Sequence, residues 1–311
     1  MWVGIDVSKD RLDVHVLPEG LALSVTRDGK GLAELVERLT ALAPERVAVE
    51  ATGGFETVVA AALAGACLPV VVVNPAQVRH FAQALGRRAK SDPIDAEMVA
   101  RFVEATRPEI RPLADADARL LADLVARRRQ IIDMIVAEKN RQRRTQVKRI
   151  EKSIARLVVA LEKELAEINR EIDIGVRGSP AWRQKEDLLA SVPGVGPVIA
   201  RTLIAELPEL GRLDNKQIAS LAGLAPYTRQ SGQWKGRSMI GGGRKSVRSS
   251  LFLAAMTAGR HNPVLKAFRQ RLIDAGKPKM VATIAVARKL LTMLNAVLRD
   301  RRPWIEETPS C

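Results

Sequence analysis

Four acidic residues fall where acids are unexpected or where their spacing turns them together. Asp6 interrupts the apolar run Trp2-Val3-Gly4-Ile5-Asp6-Val7, and Glu50 closes Val47-Ala48-Val49. An unpaired charge in such a strand is expensive, so each must be ligated, hydrogen-bonded or set at the mouth of a cleft. Asp92 and Asp95, three apart in Ser91-Asp92-Pro93-Ile94-Asp95-Ala96-Glu97, occupy adjacent positions of one helical face. Converged, two strand acids and two helix acids would supply the oxygen donors that Mg²⁺ (or Mn²⁺) takes at roughly 2.1 Å, and a pair of ions roughly 4 Å apart can activate a nucleophile and neutralise a leaving oxygen in phosphodiester chemistry. Plainer readings stand beside this one. Asp92 can be an N-cap with Pro93 at the first helical position, Asp6 a turn-former before Ser8-Lys9-Asp10, and Glu50 the partner of a surface base. Asp10, Asp13, Glu56 and Glu97 are lesser candidates, at positions that read as loop or exposed helix.

A second concentration of chemistry lies far along the chain. Residues 228–248 (TRQSGQWKGRSMIGGGRKSVR) hold five glycines, six basic residues and no acid, a composition suited to phosphate contact. Upstream, Pro193-Gly194-Val195-Gly196 joins two apolar helical segments. It is similar to a helix-hairpin-helix turn, whose glycines (Gly194, Gly196) let backbone amides approach a phosphate; a tight helical connection is the simpler alternative.

The elements that must position these groups alternate. A hairpin of residues 2–7 and 12–17, a helix over 32–42, a buried strand over 46–50, a helix over 55–63 and a buried strand over 69–74 describe an α/β sheet covered on both faces. That order is compatible with an RNase H-like sheet. From Asp115 to Ile174 there is neither proline nor glycine, and apolar residues recur at three-and-four spacing, which predicts two long helices or a hairpin of them. Residues 175–180 then read as a linker, and the segment after Ser249 reads as mainly helical with a break at His261-Asn262-Pro263.

Charge divides the chain in the same way. Lys and Arg number 50 against 35 Asp and Glu, a formal net charge of +15. Residues 1–110 carry 12 basic and 15 acidic side chains, leaving 38 basic and 20 acidic for the remainder. The basic remainder should be drawn to a polyanion, nucleic acid first. On the predicted rod, Arg127-Arg128-Arg129 and then Arg141, Arg143, Arg144 and Lys148 crowd together; they form either a solvated face or a phosphate contact. Two cysteines, Cys67 and Cys311, exclude a disulfide framework and a CxxC zinc site. The acidic start MWVGIDVSKD lacks the apolar core of a signal peptide, and no stretch nears 18 uninterrupted apolar residues. The expectation is a cytoplasmic, nucleoid-associated protein that does not engage a membrane.

The series Gly4-Ile5-Asp6-Val7-Ser8-Lys9, Val49-Glu50-Ala51-Thr52-Gly53, Lys90-Ser91-Asp92-Pro93-Ile94-Asp95-Ala96, Pro193-Gly194-Val195-Gly196, Gly223-Leu224-Ala225-Pro226, Ser231-Gly232 and Gly241-Gly242-Gly243-Arg244 resembles the DEDD transposases of insertion sequences related to the Piv and MooV invertases. The resemblance covers almost the whole chain. It implies an α/β RuvC-like (RNase H-type) domain over residues 1–112, a coiled-coil connector over 113–176 and a mainly α-helical transposase domain over 177–311 with the helix-hairpin-helix-like motif. It further implies Mg²⁺ held by Asp6, Glu50, Asp92 and Asp95, and a serine nucleophile matching Ser231. Without the resemblance, Ser231 is one turn serine among Ser238, Ser246, Ser249 and Ser250. Donor and target DNA, an element-encoded bridge RNA, and homodimers pairing into tetramers in synapsis are the implied partners. Expected on nucleic-acid phosphates are Arg87, Arg88 and Lys90 in the first domain, the rod cluster, and Lys235, Arg237, Arg244, Lys245 and Arg248 in the last.

Three rival readings remain at this level. A RuvC-like Holliday-junction endonuclease would keep the metal site and hydrolyse DNA with water. A sugar-kinase-like ATPase would use Gly4-Ile5-Asp6 as a phosphate loop but lacks a convincing second glycine-rich loop. A non-enzymatic nucleic-acid scaffold would leave the acids structural. Aromatic residues make up only 3% of the chain, so base stacking explains sequence choice poorly. An RNA guide would move that task to base pairing.

Overall fold

The computed structural model describes residues 1–87, 92–110, 115–228, 230–232, 234–236 and 238–305, with backbone alone at Asp92, Pro93, Trp234 and Lys235. Two compact units result, Met1–Ala114 and Asp115–Cys311.

The first unit is a five-stranded sheet between two pairs of helices. In chain order it contains β1 (Trp2–Val7), β2 (Arg11–Leu17), β3 (Leu21–Thr26), α1 (Gly29–Leu42), β4 (Arg46–Glu50), α2 (Glu56–Gly65), β5 (Val70–Val73), α3 (Pro75–Ala84) and α4 (Asp92–Thr106). The spatial order is β3-β2-β1-β4-β5; β1, β2 and β3 pair antiparallel, and β1, β4 and β5 parallel. This mixed order is compatible with an RNase H-type sheet. Val3, Ile5, Val7, Val47 and Val49 face α1 and α2, packing with Leu35, Leu39, Val59 and Leu63. The alternate residues Trp2, Ala48, Val71 and Val73 face the opposite layer with Val78 of α3 and Met98, Val99, Ala100 and Val103 of α4. Strands covered on both faces read as continuous apolar runs, which is why β1, β4 and β5 are visible in the sequence. The strand β3 is not: at the sheet edge only Val25 is buried, so the expected hairpin is in fact a three-stranded meander.

One position fixes the distance between α4 and the sheet. A Cβ on Gly4 would lie 2.2 Å from the Ala100 nitrogen and 2.3 Å from the Ala96 carbonyl oxygen. The helix backbone therefore rests directly on β1, an approach that only glycine allows.

The second unit opens with α5 (Ala116–Arg144) and α6 (Lys148–Gly178). Arg128 bonds Asn169 at 2.7 Å and Lys139 bonds Glu162 at 2.6 Å, so the two helices run antiparallel as a hairpin. Leu121, Val125, Ile131 and Ile135 pack there against Ile168, Ile172 and Val176. The expected linker at residues 175–180 is not a linker. The helix α6 runs through Gly175 to Gly178 because Val176 is fully buried in that packing, and Ser179 both ends it and caps the next helix, with Pro180 in its first turn. A bundle follows of α7 (Pro180–Ala190), α8 (Pro197–Glu206), α9 (Asn215–Leu221), a two-strand hairpin β6 (Gln230–Ser231) and β7 (Trp234–Lys235), then α10 (Lys245–His261), α11 (Pro263–Asp274) and α12 (Lys279–Asp300). Among the described residues α12 alone is long and apolar enough to cross a membrane by length and composition. Its Val286, Leu290, Leu291 and Leu294 are fully buried among α7 to α10, which accounts for its apolarity.

Candidate active site

Strand alternation places Asp6 and Glu50 on the sheet face that carries α4. The parallel register of β1 and β4 reaches Ile5 opposite Val49, so Asp6 and Glu50 follow as neighbours at the carboxyl ends of their strands. Asp95 precedes Ala96, whose carbonyl oxygen presses on Gly4. Asp6, Glu50 and Asp95 accordingly line one cleft of about 1130 Å³, together with Thr52, Pro75, Ala76 and part of α3. Ligands of open α/β sheets bind in this location, outside the carboxyl ends of the parallel strands. Asp92 opens α4, and its side chain lies outside the described residues, as do Arg88, Lys90 and Arg237.

The neighbouring acids separate by role. Asp13 is 6% exposed and stands directly across from Asp6 in the antiparallel register. Arg11 donates from Nε to its carboxylate at 2.9 Å, which offsets the repulsion between two acids facing each other on adjacent strands. Glu56 accepts from the backbone N–H groups of Thr52 (3.0 Å) and Gly54 (2.8 Å), shaping the loop that follows Glu50. Glu97 is bonded by Arg101 at 2.7 Å, and this bond holds its carboxyl below the usual range. Asp10 is exposed.

Among the described residues no three of His, Cys, Asp and Glu stand close enough to hold an ion by themselves; the expected fourth acid lies outside that set. The donors present suit a hard divalent cation nonetheless. Three carboxylates share the cleft, and among the described residues the buried Thr52 Oγ1 beside them has no hydrogen-bond partner, an uncompensated oxygen of a kind that a cation or its water would satisfy.

In the second unit Ser231 pairs with Trp234 across β6 and β7, with Gly232 at φ +57° in the turn. The serine is exposed at the tip. Lower on the hairpin Tyr227 bridges Met239, and the Thr228 and Ser238 hydroxyls lie 2.6 Å apart. Ser246, Ser249 and Ser250 are on α10, so Ser231 differs from these three in standing beside a turn. Two glycines close the loop: a Cβ on Gly243 would meet the Gly223 nitrogen at 2.4 Å, and one on Gly223 would meet the Gly242 carbonyl oxygen at 2.3 Å. The recurrent glycines of residues 223–226 and 241–244 are thus one backbone-to-backbone contact. Arg244 binds both oxygens of Glu209 at 2.5 and 2.7 Å and the Glu206 carbonyl at 3.0 Å, so it clamps the loop into the bundle. Arg248 donates to the Gly242 carbonyl at 2.5 Å. Lys245 stands beside it in the first turn of α10.

Gly194, at φ +101°, abuts Ala258 of α10, where a Cβ would come within 2.6 Å of the Ala258 backbone; helix packing already explains it. Gly196 is the N-cap of α8 with open space around it. Arg143, Arg144 and Lys148 are exposed at the turn of the α5–α6 hairpin, and Arg141 is exposed but bonded to Glu138. Sequence reading missed the burial of Asp13 and the α3 side of the cleft. Alternation puts Asp13 and His15 on the face opposite to Leu12, Val14 and Val16, and only the packing of α4 on that face buries Asp13.

Residues 3–148 match a DEDD family model described as Transposase, and residues 186–270 match the Transposase IS116/IS110/IS902 family. The Pilin gene-inverting proteins of Moraxella lacunata and Moraxella bovis are each 28% identical over 97% of this chain and 97% of the relative. The Insertion element IS116 uncharacterized 44.8 kDa protein of Streptomyces clavuligerus is 25% identical over 99% of this chain and 97% of that protein.

Proposed function

The chain belongs to the IS110 family of transposases, and from that membership we propose that it cuts and rejoins DNA with a Mg²⁺-dependent site of Asp6, Glu50, Asp92 and Asp95 and with Ser231 as nucleophile. The observation that carries this reading is the shared cleft of Asp6, Glu50 and Asp95. Its relatives include proteins named for inverting a pilin gene, and inversion demands that broken strands be rejoined. A serine link meets that demand where hydrolysis does not.

Ser231 Oγ attacks phosphorus and forms an O–P bond while the P–O3′ bond breaks. The serine proton passes to solvent and the departing 3′-oxygen takes one up. One phosphodiester replaces another, so the bond energy is kept for the return attack of a 3′-hydroxyl. A divalent ion, when held by Asp6, Glu50, Asp92 and Asp95, would supply neutralisation of phosphate charge at those carboxylates. Lys235, Arg237, Lys245 and Arg248 steady the DNA backbone around the serine, and Arg244 holds the loop that presents it. Arg87, which lines the cleft, contacts DNA beside the carboxylates, and Arg88 and Lys90 are further DNA contacts in this reading. Arg141, Arg143, Arg144 and Lys148, exposed on the hairpin of helices, contact the phosphates of a bridge RNA, which reads sequence by pairing. Exposed apolar residues on that hairpin, among them Ile150 and Leu157, form the seam of a homodimer, and two dimers join in synapsis. Gly194 and Gly196 line a turn that follows the DNA backbone. In this reading residues 1–112 carry the metal site, 113–176 the connector and 177–311 the nucleophile.

The test is a denaturing gel of protein incubated with element-end RNA, matching DNA and Mg²⁺. A DNA-linked protein band is expected for wild type and for Ser238→Ala, and none for Ser231→Ala. Cleaved DNA without an adduct in any of the three would replace this reading with hydrolysis by water.

A further inference from the structure

The cleft of Asp6, Glu50 and Asp95 has a second wall of opposite character. Arg79, His80 and Gln83 project from one face of α3 into the same space, and Arg87 follows just beyond the helix. Arg79 and His80 are exposed, and among the described residues neither makes an ion pair or side-chain hydrogen bond with the acids across from it. We propose that this face of α3 is a phosphate-binding wall, in which Arg79 and His80 hold the DNA backbone flanking the phosphate that lies against the carboxylates.

Electrostatics motivate the assignment. A cleft lined by acids alone repels a polyanion, and a guanidinium on the facing wall offsets that repulsion where screening by salt is weakest. Arginine also matches phosphate geometry with paired N–H donors. The wall is held in place. Asn74 caps α3 by accepting from the Ala76 N–H at 2.8 Å, Pro75 occupies its first position, and Val78 is buried against the sheet. Phe81 of α3 meets Phe102 of α4 edge to face, with ring centroids 5.7 Å apart. Since α4 also carries Asp95, the cationic and acidic walls are braced to each other by that pair.

This inference rests on the DNA-recombinase reading but fails separately from it. Full-length protein is titrated against a fluorescein-labelled oligo(dT) of thirty nucleotides in Ca²⁺, over a series of NaCl concentrations. Removing one phosphate-binding cation lowers the slope of log K against log[NaCl] by about 0.7 for a single strand. Arg79→Gln is expected to lower the slope by that amount and Arg79→Lys to restore it. Arg38→Gln, on α1 at the other sheet face, is expected to leave it unchanged. A photo-cross-linking residue at position 83 is expected to label the DNA. Mn²⁺ binding, followed by electron paramagnetic resonance, should survive Arg79→Gln and be lost in Asp6→Asn. Loss of Mn²⁺ binding in Arg79→Gln, an unchanged slope, or no cross-link would overturn the wall. Wild type that binds no Mn²⁺ but shows the slope change would overturn the metal site and leave the wall standing.

Discussion

Replacing Gly4 by alanine adds a single methyl group, and the structure says where it goes. The new carbon would sit 2.2 Å from the Ala100 nitrogen, 2.3 Å from the Ala96 oxygen and 2.9 Å from the Ala100 Cα. These are backbone atoms of a helix whose Ala96 and Ala100 are buried, so no side chain can swing aside. Relief requires α4 to retreat from β1 by about 1 Å, and overpacking of this kind costs about 1–3 kcal/mol. The retreat carries Asp95 away from Asp6 and Glu50. A misplacement of about 1 Å among reacting groups costs on the order of 10²-fold in rate. Gly4→Ala should therefore melt several degrees below wild type, bind Mn²⁺ more weakly and cleave DNA about a hundredfold more slowly. Gly65→Ala is the control, because open space surrounds that helical glycine; a gain of about 0.4–1 kcal/mol is expected there. A Gly4→Ala protein with wild-type melting and cleavage would refute the contact between α4 and β1 as the device that sets the acids.

Two further outcomes follow from partners named above. Arg244→Gln removes a two-oxygen grip on a largely buried Glu209, in a pair 35% and 16% exposed; thermal denaturation should show a loss of about 1–2 kcal/mol, discounted for partial solvent access. Burial pushes the His15 imidazole below its ordinary range, against the raising influence of Glu97, with Arg101 adding to the depression. The unfolded chain then holds the His15 proton more readily, so this contribution to stability is complete above a pH of about 6.5 and is lost as pH falls through the folded pKa. His15→Gln should flatten the fall in melting temperature on mild acidification, and an unaltered profile would exclude His15 as its source.

The acids at the ends of β1 and β4 were legible in the sequence because a charge in an apolar strand is an anomaly that a single element displays. Asp13 was not, since its significance depends on lying opposite Asp6, and strand register is a property of two segments read together. The edge strand β3 buries too little to leave a period. At residues 175–180 the glycines pointed to a linker, but the packing of Val176 outweighed the modest cost of glycine in a helix. Nothing in the sequence sets Arg79 and His80 apart from an ordinary solvated helix face, and only the fold puts a cleft opposite them. Arg244 looked like one more loop cation, and only the fold supplies Glu209. Ser231 could be singled out from its neighbours by family resemblance alone; its place at an exposed turn is a fact of the folded hairpin.

Gly223 meets Gly242 and Gly243 at the foot of the hairpin that carries Ser231. The chain leaves the helical bundle and re-enters it at nearly one point, so the length and sequence of the excursion between are uncoupled from the path of the core. A change in the length of the hairpin that carries Ser231 is therefore expected to leave the helices beneath with their connections, provided Gly223, Gly242 and Gly243 at its foot are retained.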